Sequence, residues 1–265
     1  MWKVVRVFCL VASMTLLAEV HARGDDALLT RIAFGSCAKQ DKPQPIWDAV
    51  VEMQPQLFVL LGDNIYGDTA DMDVLRAKYS LLGNQSGYRK LKQTCPVVAT
   101  WDDHDYGADD SGANYPKKRE SQQIFLDFFE APPDDPRRSH EGVYSASVFG
   151  PVGKQVQLIL LDTRYFRSPL KTGYKPGEPG EGYPLFDITS SSLNAPSGNM
   201  TKAGIRFANQ INSHRIGLQF FDTNFGTILI DWDQPDPVVR QQVRDEKGDV
   251  VLQHRVSLSQ LRRQL

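Results

Sequence analysis

Hydrophobic and polar positions along this chain sort into short strands and amphipathic helices that alternate. In RIAFGSC the apolar run has strand length and breaks in a small-residue turn carrying Cys37. PIWDAVVEM, residues 45–53, opens with proline and then spaces its apolar positions at helical intervals, which predicts a helix. QLFVLLGDN follows as an unbroken apolar run, the pattern of a strand buried on both faces, and stops at Gly62-Asp63-Asn64. Strand, helix and strand in that order predict a right-handed crossover between parallel neighbours, with both strand-end turns on the same carboxyl edge. Cys37 and Asp63 are therefore expected side by side.

Segments 73–82 and 87–93 predict helices, and CPVVAT predicts a third buried strand running into TWDDHDYGADD. SQQIFLDFF reads as a helix; GVYSASVFG and KQVQLILLDTR read as a strand pair joined by a glycine-containing turn. RIGLQFFDT, FGTILIDW and PVVRQQVRDEKGDVVLQHRVSL alternate like antiparallel strands, with Glu246-Lys247-Gly248 as a hairpin turn. LKTGYKPGEPGEGYP, residues 170–184, is rich in Gly and Pro and predicts a loop or linker. The expected fold class is α/β. Its parallel strands deliver Cys37, Asp63 and the stretch from Asp102 to His104 to one sheet edge, the edge where ligands bind in open α/β sheets.

Bulk properties narrow the function. A chain of 265 residues that is 41% hydrophobic and 23% charged fits one sizeable globular domain. A net charge of −2 offers no general attraction for nucleic acid or anionic membrane, so no specific nucleic-acid partner is expected and an anionic substrate must be met by a local site. MWKVVRVFCLVASMTLLAEVHARG has early cations, an apolar run and a small-residue cleavage pattern, so residues 1–22 read as a secretory signal peptide and 23–265 as the domain. Glu19 and His21 interrupt the run before it reaches spanning length, and no transmembrane span is expected. The expected location is secreted, periplasmic or extracellular. Removal of the signal leaves Cys37 and Cys95, either as one disulfide or with Cys37 as a thiolate ligand.

The densest chemistry lies in TWDDHDYGADD, where Asp102, Asp103, Asp105, Asp109 and Asp110 surround His104. Carboxylates this close raise one another's pKa unless a cation sits among them, which leaves a metal site or a solvated acidic turn. A two-metal hydrolase needs a bridging carboxylate, flanking ligands and a proton donor for the leaving group. Asp63, at the tip of a buried strand, suits the bridge. Asp102 and Asp103 are candidate hard ligands, and Cys37 favours a softer ion such as iron or zinc. His104 can be a ligand or a general acid. No G-x-S-x-G elbow occurs, which disfavours a serine esterase.

FGSCAKQDKPQPIWDAV, VLLGDNIYGDT, ATWDDHDYGADDSG, FLDFF and ILLDTRYFRSPL, in that order, closely resemble alkaline phosphatase D (PhoD)-like enzymes of the calcineurin-like metallophosphoesterase superfamily. A second stretch of resemblance runs from YPLFDITSSSLN through NFGTILIDW. The resemblance implies a layered β-sandwich flanked by helices and a binuclear metal centre, iron with calcium, zinc or manganese. It also implies hydrolysis of phosphate mono- or diesters. On it, Cys37 binds iron, Asp63 bridges, Asp103 replaces an Asn of the superfamily motif, and His104 is the leaving-group acid. Asp109 stands where related sequences carry Asn. Tyr66 and Asp109 are candidates as ligands or as neighbours that orient ligands. Arg164 and Arg167, just past a strand end, are candidate phosphate contacts, against the alternative of packing or surface ion pairing. The family also implies a Gly-Asp-x-His segment that this chain lacks where Gly182 meets Tyr183. The expected protein is thus an incomplete form of an exported phosphoesterase with reduced or lost activity. The alternative is a non-catalytic remnant whose acidic cluster holds calcium.

Overall fold

The computed structural model describes residues 27–168, 186–196, 215–217 and 219–261, and no helix among them is long and apolar enough to cross a membrane. The signal peptide, the Gly/Pro-rich stretch and the junction of Gly182 with Tyr183 lie outside the described residues.

The elements run β1 (Arg31–Gly35), α1 (Ile46–Glu52), β2 (Leu57–Leu61), α2 (Met72–Asn84), α3 (Ser86–Thr94), β3 (Val97–Thr100), α4 (Asp103–Tyr106) and α5 (Lys118–Phe128). They continue with β4 (Ser145–Phe149), β5 (Val156–Leu160), β6 (Asn224–Asp231), β7 (Val238–Asp245) and β8 (Val250–Ser257). Six strands make one mixed sheet in the order β3-β2-β1-β6-β7-β8, while β4 and β5 form a separate antiparallel pair. The first three are parallel as expected, and β6, β7 and β8 add on antiparallel.

The unbroken apolar runs arise because both sheet faces are covered. Along β2, Phe58 and Leu60 enter the helix-side core with Trp47, Tyr88 and Leu91, while Leu57 and Val59 enter a second core with Ile32, Phe34 and Leu160. Phe149, Val156 and Leu158 pack on that second core, so the β4–β5 pair forms a layer over the back of the sheet. The pairing of Phe34 with Gly226 is tight: a Cβ on Gly226 would fall 2.1 Å from the Phe34 ring. The outer layer closes incompletely. A cleft of about 1640 Å³, lined in part by Leu57, Val98, Phe149, Leu158 and Tyr144, opens between it and the sheet.

One expectation changes, and one open alternative closes. RIGLQFFDT forms no strand among its described residues. The ladder begins at Asn224, whose side chain turns back to donate to the Asp222 carbonyl at 2.7 Å, a local bond that competes with strand pairing. Nor are Cys37 and Cys95 joined. Both thiols are free, because Cys37 follows the carboxyl end of β1 whereas Cys95 precedes the amino end of β3, at opposite edges of the sheet.

Candidate functional site

Three turns at the carboxyl ends of β1, β2 and β3 build the site. The β2 turn bends at Gly62, with φ of 105°, and Asp63, with φ of 49°, both left-handed. Glycine is required at the first because a Cβ there would stand 2.6 Å from Asp102 Cβ and 2.7 Å from Asp102 N. The β1 turn docks on it: Cys37 N donates to Gly62 O at 3.3 Å and Ala38 N to Asp63 O at 2.9 Å. Cys37 Sγ consequently lies 3.4 Å from Asp63 Oδ2. The expected juxtaposition of these two residues is present.

The β3 turn is locked by a fully buried carboxyl. Asp105 accepts from Asp102 N at 2.7 Å and from Asn64 N at 3.1 Å, and its pKa is raised well above the carboxylate range by burial. The Asn64 side chain also donates to Thr100 O at 2.8 Å. Asp105 and Asn64 thus splice the second and third turns together. Beneath them Trp101, fully buried, packs on Tyr106 and Phe125 at ring separations of 5.0 and 5.4 Å. This aromatic floor fixes the height of the acidic residues above the core.

On that platform Asp63, Asp102 and Asp103 offer carboxylate oxygens within 4.8 Å of one another, and a second group, Asp68, His104 and Asp109, offers two carboxylate oxygens and a ring nitrogen at the same spacing. Burial pushes the Asp63 carboxyl up to about 6; His104 opposes that rise, and Asp102 and Asp103 add to it. Burial likewise raises the Cys37 thiol, although Ser191 accepts or donates at 3.0 Å and works against the rise. Burial disfavours the charged form of His104, but Asp68 at 2.6 Å and the charges of Asp63 and Asp103 outweigh it and hold the imidazole above its usual pKa. Asp109 lies 3.9 Å from the same nitrogen. The Tyr66 ring rests on His104 at 4.2 Å and carries the Lys39 ammonium 4.8 Å from its centre. With Nδ1–H donated to Asp68, Nε2 is left for proton transfer.

The candidate phosphate contacts are both engaged with this acidic loop. Arg164 Nε bonds Asp102, and its Nη2 donates to Asp103 at 2.8 Å. Arg167 Nη2 donates to the carbonyls of Asp110 and Ser111, and Ala113 N returns a bond to Arg167 O at 2.9 Å. Sequence reasoning did not single out Asp68, Asn64, Asp105, Ser191 or Asn194 as contributors. Only Asp105 carried a visible signal, its place within the acidic run. Asn194 donates to Lys39 O and Pro43 O and accepts from Lys39 N, which ties YPLFDITSSSLN to the Cys37 turn.

A cation fits this donor set. Asp63 Oδ1 is buried and meets no hydrogen-bond donor, and Asp63 itself is only 9% exposed. A buried carboxylate oxygen without a partner is costly unless an ion completes it.

A family model for PhoD-like phosphatases matches residues 32–203, well over half of the chain and all of the site residues named above. The chain belongs to the PhoD-like phosphatase family. Its clustered acidic and histidine groups are ones that could hold a metal ion. A solved structure described as "Structure of PhoD" aligns over 57% of this chain at 18% identity and a TM-score of 0.45. The PhoD-like chain described here covers 34% of that structure's length. No curated protein matches it.

Proposed function

We propose that this chain is an exported, metal-dependent phosphoesterase that hydrolyses phosphate mono- or diesters. The observation that carries the proposal is the convergence of Cys37, Asp63, Asp102, Asp103 and His104 on one sheet edge around a partnerless Asp63 oxygen. Cys37 and Asp63 would hold iron, and Asp63 with Asp102 and Asp103 a second, harder ion such as calcium or manganese. When bound, metal supplies Lewis acidity and makes water acidic enough to attack phosphorus at neutral pH. The chain's own residues do the rest. Asp68 orients His104, whose Nε2 gives its proton to the departing oxygen. The turn at Asn64 and Asp105 keeps the carboxylates in register during that transfer.

The deletion reading belongs to the same proposal. His104 is the one imidazole in the metal-competent groups among the described residues, so the Asp and His of a Gly-Asp-x-His segment have no counterpart there. A centre short of ligands holds its ions less tightly, and turnover falls with it. The apolar cleft behind the sheet is consistent with a layer that has lost part of its cover.

The test is hydrolysis of p-nitrophenyl phosphate and bis(p-nitrophenyl) phosphate by metal-free protein reloaded with iron plus calcium or manganese. Turnover that Asp63→Asn abolishes is the expected result. Tight metal retention without turnover would favour the second reading, a binding remnant, which has one observation in its favour: the Asp63–Asp102–Asp103 group is made of oxygen donors alone and so suits calcium.

A further inference from the structure

The Arg164 guanidinium stands where the chemistry of the cluster calls for a cation. One fork spans Asp102 Oδ1 and Asp103 Oδ1, and Nη1 lies 3.8 Å from Asp110 Oδ1. Its side chain is 13% exposed, so this is no loose surface pair. The backbone behind it is held independently of the cluster. Asp162 Oδ1 accepts from Arg164 N at 2.9 Å and Tyr165 N at 2.8 Å, while Oδ2 accepts from Val143 N at 2.9 Å. Thr100 Oγ1 donates to Leu161 O at 2.7 Å and brings that turn against the end of β3. A planar fork delivered by a fixed backbone loses little freedom when it pairs.

Charge balance gives this arrangement a consequence. Asp63, Asp102 and Asp103 sit within one ion-sized group. An ion entering beside Cys37 and Asp63 leaves the fork undisturbed, because Cys37 Sγ and Asp63 Oδ2, 3.4 Å apart, are donors that Arg164 does not touch, and Asp63 Oδ1 has no partner to lose. An ion entering between Asp102 and Asp103 would stand beside the guanidinium that already holds one oxygen of each, and two cations so close repel in a partly buried setting.

We propose that Arg164 acts as an internal counter-cation that limits this centre to one tightly held ion, on the Cys37–Asp63 side. The proposal rests on the metal-dependent reading above and adds the residue that sets the number of ions. Loading of a second ion then requires the guanidinium to leave Asp102 and Asp103.

Metal-free protein titrated calorimetrically with Co²⁺, with bound cobalt counted by elemental analysis after dialysis, tests this. Wild type should retain one ion per chain and show the near-ultraviolet absorption of a cobalt–thiolate contact. Arg164→Gln should retain a second ion, its affinity raised by about ten- to a hundredfold, the range that groups around metal ligands commonly control. Arg164→Lys, which keeps the charge without the fork, should fall between. A wild type that retains two ions, or an Arg164→Gln protein that binds no more than wild type, overturns the proposal. Protein that retains no ion in either form overturns the metal reading and this proposal with it, so the two failures are distinguishable. Circular dichroism checks the fold of each variant; were both variants to unfold, the count in wild type alone decides.

Discussion

Asp63 combines the two properties that make a residue responsive to pH, a buried oxygen without a donor and a carboxyl pushed up to about 6. An ion binds the deprotonated forms, so affinity should climb steeply with pH below 6, where both Asp63 and the Cys37 thiol give up a proton, and less steeply above it, where the thiol alone does, with proton release to match. Calorimetry in buffers of different ionisation enthalpy reads both, and Asp63→Asn should flatten the dependence. In the ion-free protein the sign reverses. The folded state binds this proton more tightly than the unfolded chain, so the group's contribution is full below the ordinary carboxylate value of 3.8 and is lost as pH rises to about 6. His104→Asn should slow hydrolysis by about 10²–10⁴-fold, most for esters with poor leaving groups, because a general acid matters least when the departing oxygen is already stable. Both residues were legible in the sequence, one at a strand end and one inside an acidic run. Asp68 was not, because its pairing depends on Gly67 N and Asp68 N both folding back onto His104 O, at 2.8 and 3.3 Å. Arg164 stood out only as a cation past a strand end. Its partners lie far back in the chain and are reached through the turn that Asp162 braces.

At the scale of elements, the site is three strand-end turns held in mutual register. Gly62→Ala tests the closest approach. The left-handed φ costs about 1–3 kcal/mol for a residue with a side chain, and the new Cβ, 2.6 Å from Asp102 Cβ, must also push the third turn away. Urea denaturation should therefore show a loss of at least that size, and metal retention should drop with it. Asn194→Ala tests the other flank. It removes the bonds to Lys39 N, Lys39 O and Pro43 O, should cost about 1–3 kcal/mol, and should speed reaction of Cys37 with a thiol reagent. Unchanged Cys37 reactivity would mean that the segment after residue 186 does not hold the β1 turn. The turns themselves were readable, since each apolar run stopped at Gly-Asp-Asn, at Cys37 or at the acidic stretch. The docking of SSSLN onto the first turn was not, because it consists of polar contacts between residues as much as 155 positions apart.

At the scale of the molecule, the parallel strands were legible because a strand covered on both faces must read as a continuous apolar run, and the four residues from Leu57 to Leu60 alternate between the two cores. What the pattern could not give was completeness. The described back layer is a two-stranded pair that leaves a cleft of about 1640 Å³ against the sheet. On the deletion reading, the missing ligands and the missing cover are one loss. They should then return together. A chain extended between Gly182 and Tyr183 by a Gly-Asp-x-His segment from a PhoD-like relative should retain more ions and hydrolyse bis(p-nitrophenyl) phosphate faster. Its apolar dye binding should fall as the cleft closes. Ion count and dye binding are independent readouts, one of donors and one of packing. An extended chain that matches the original in both, while folding normally, would sink the deletion reading and leave the Cys37–Asp63 site as all that this chain uses.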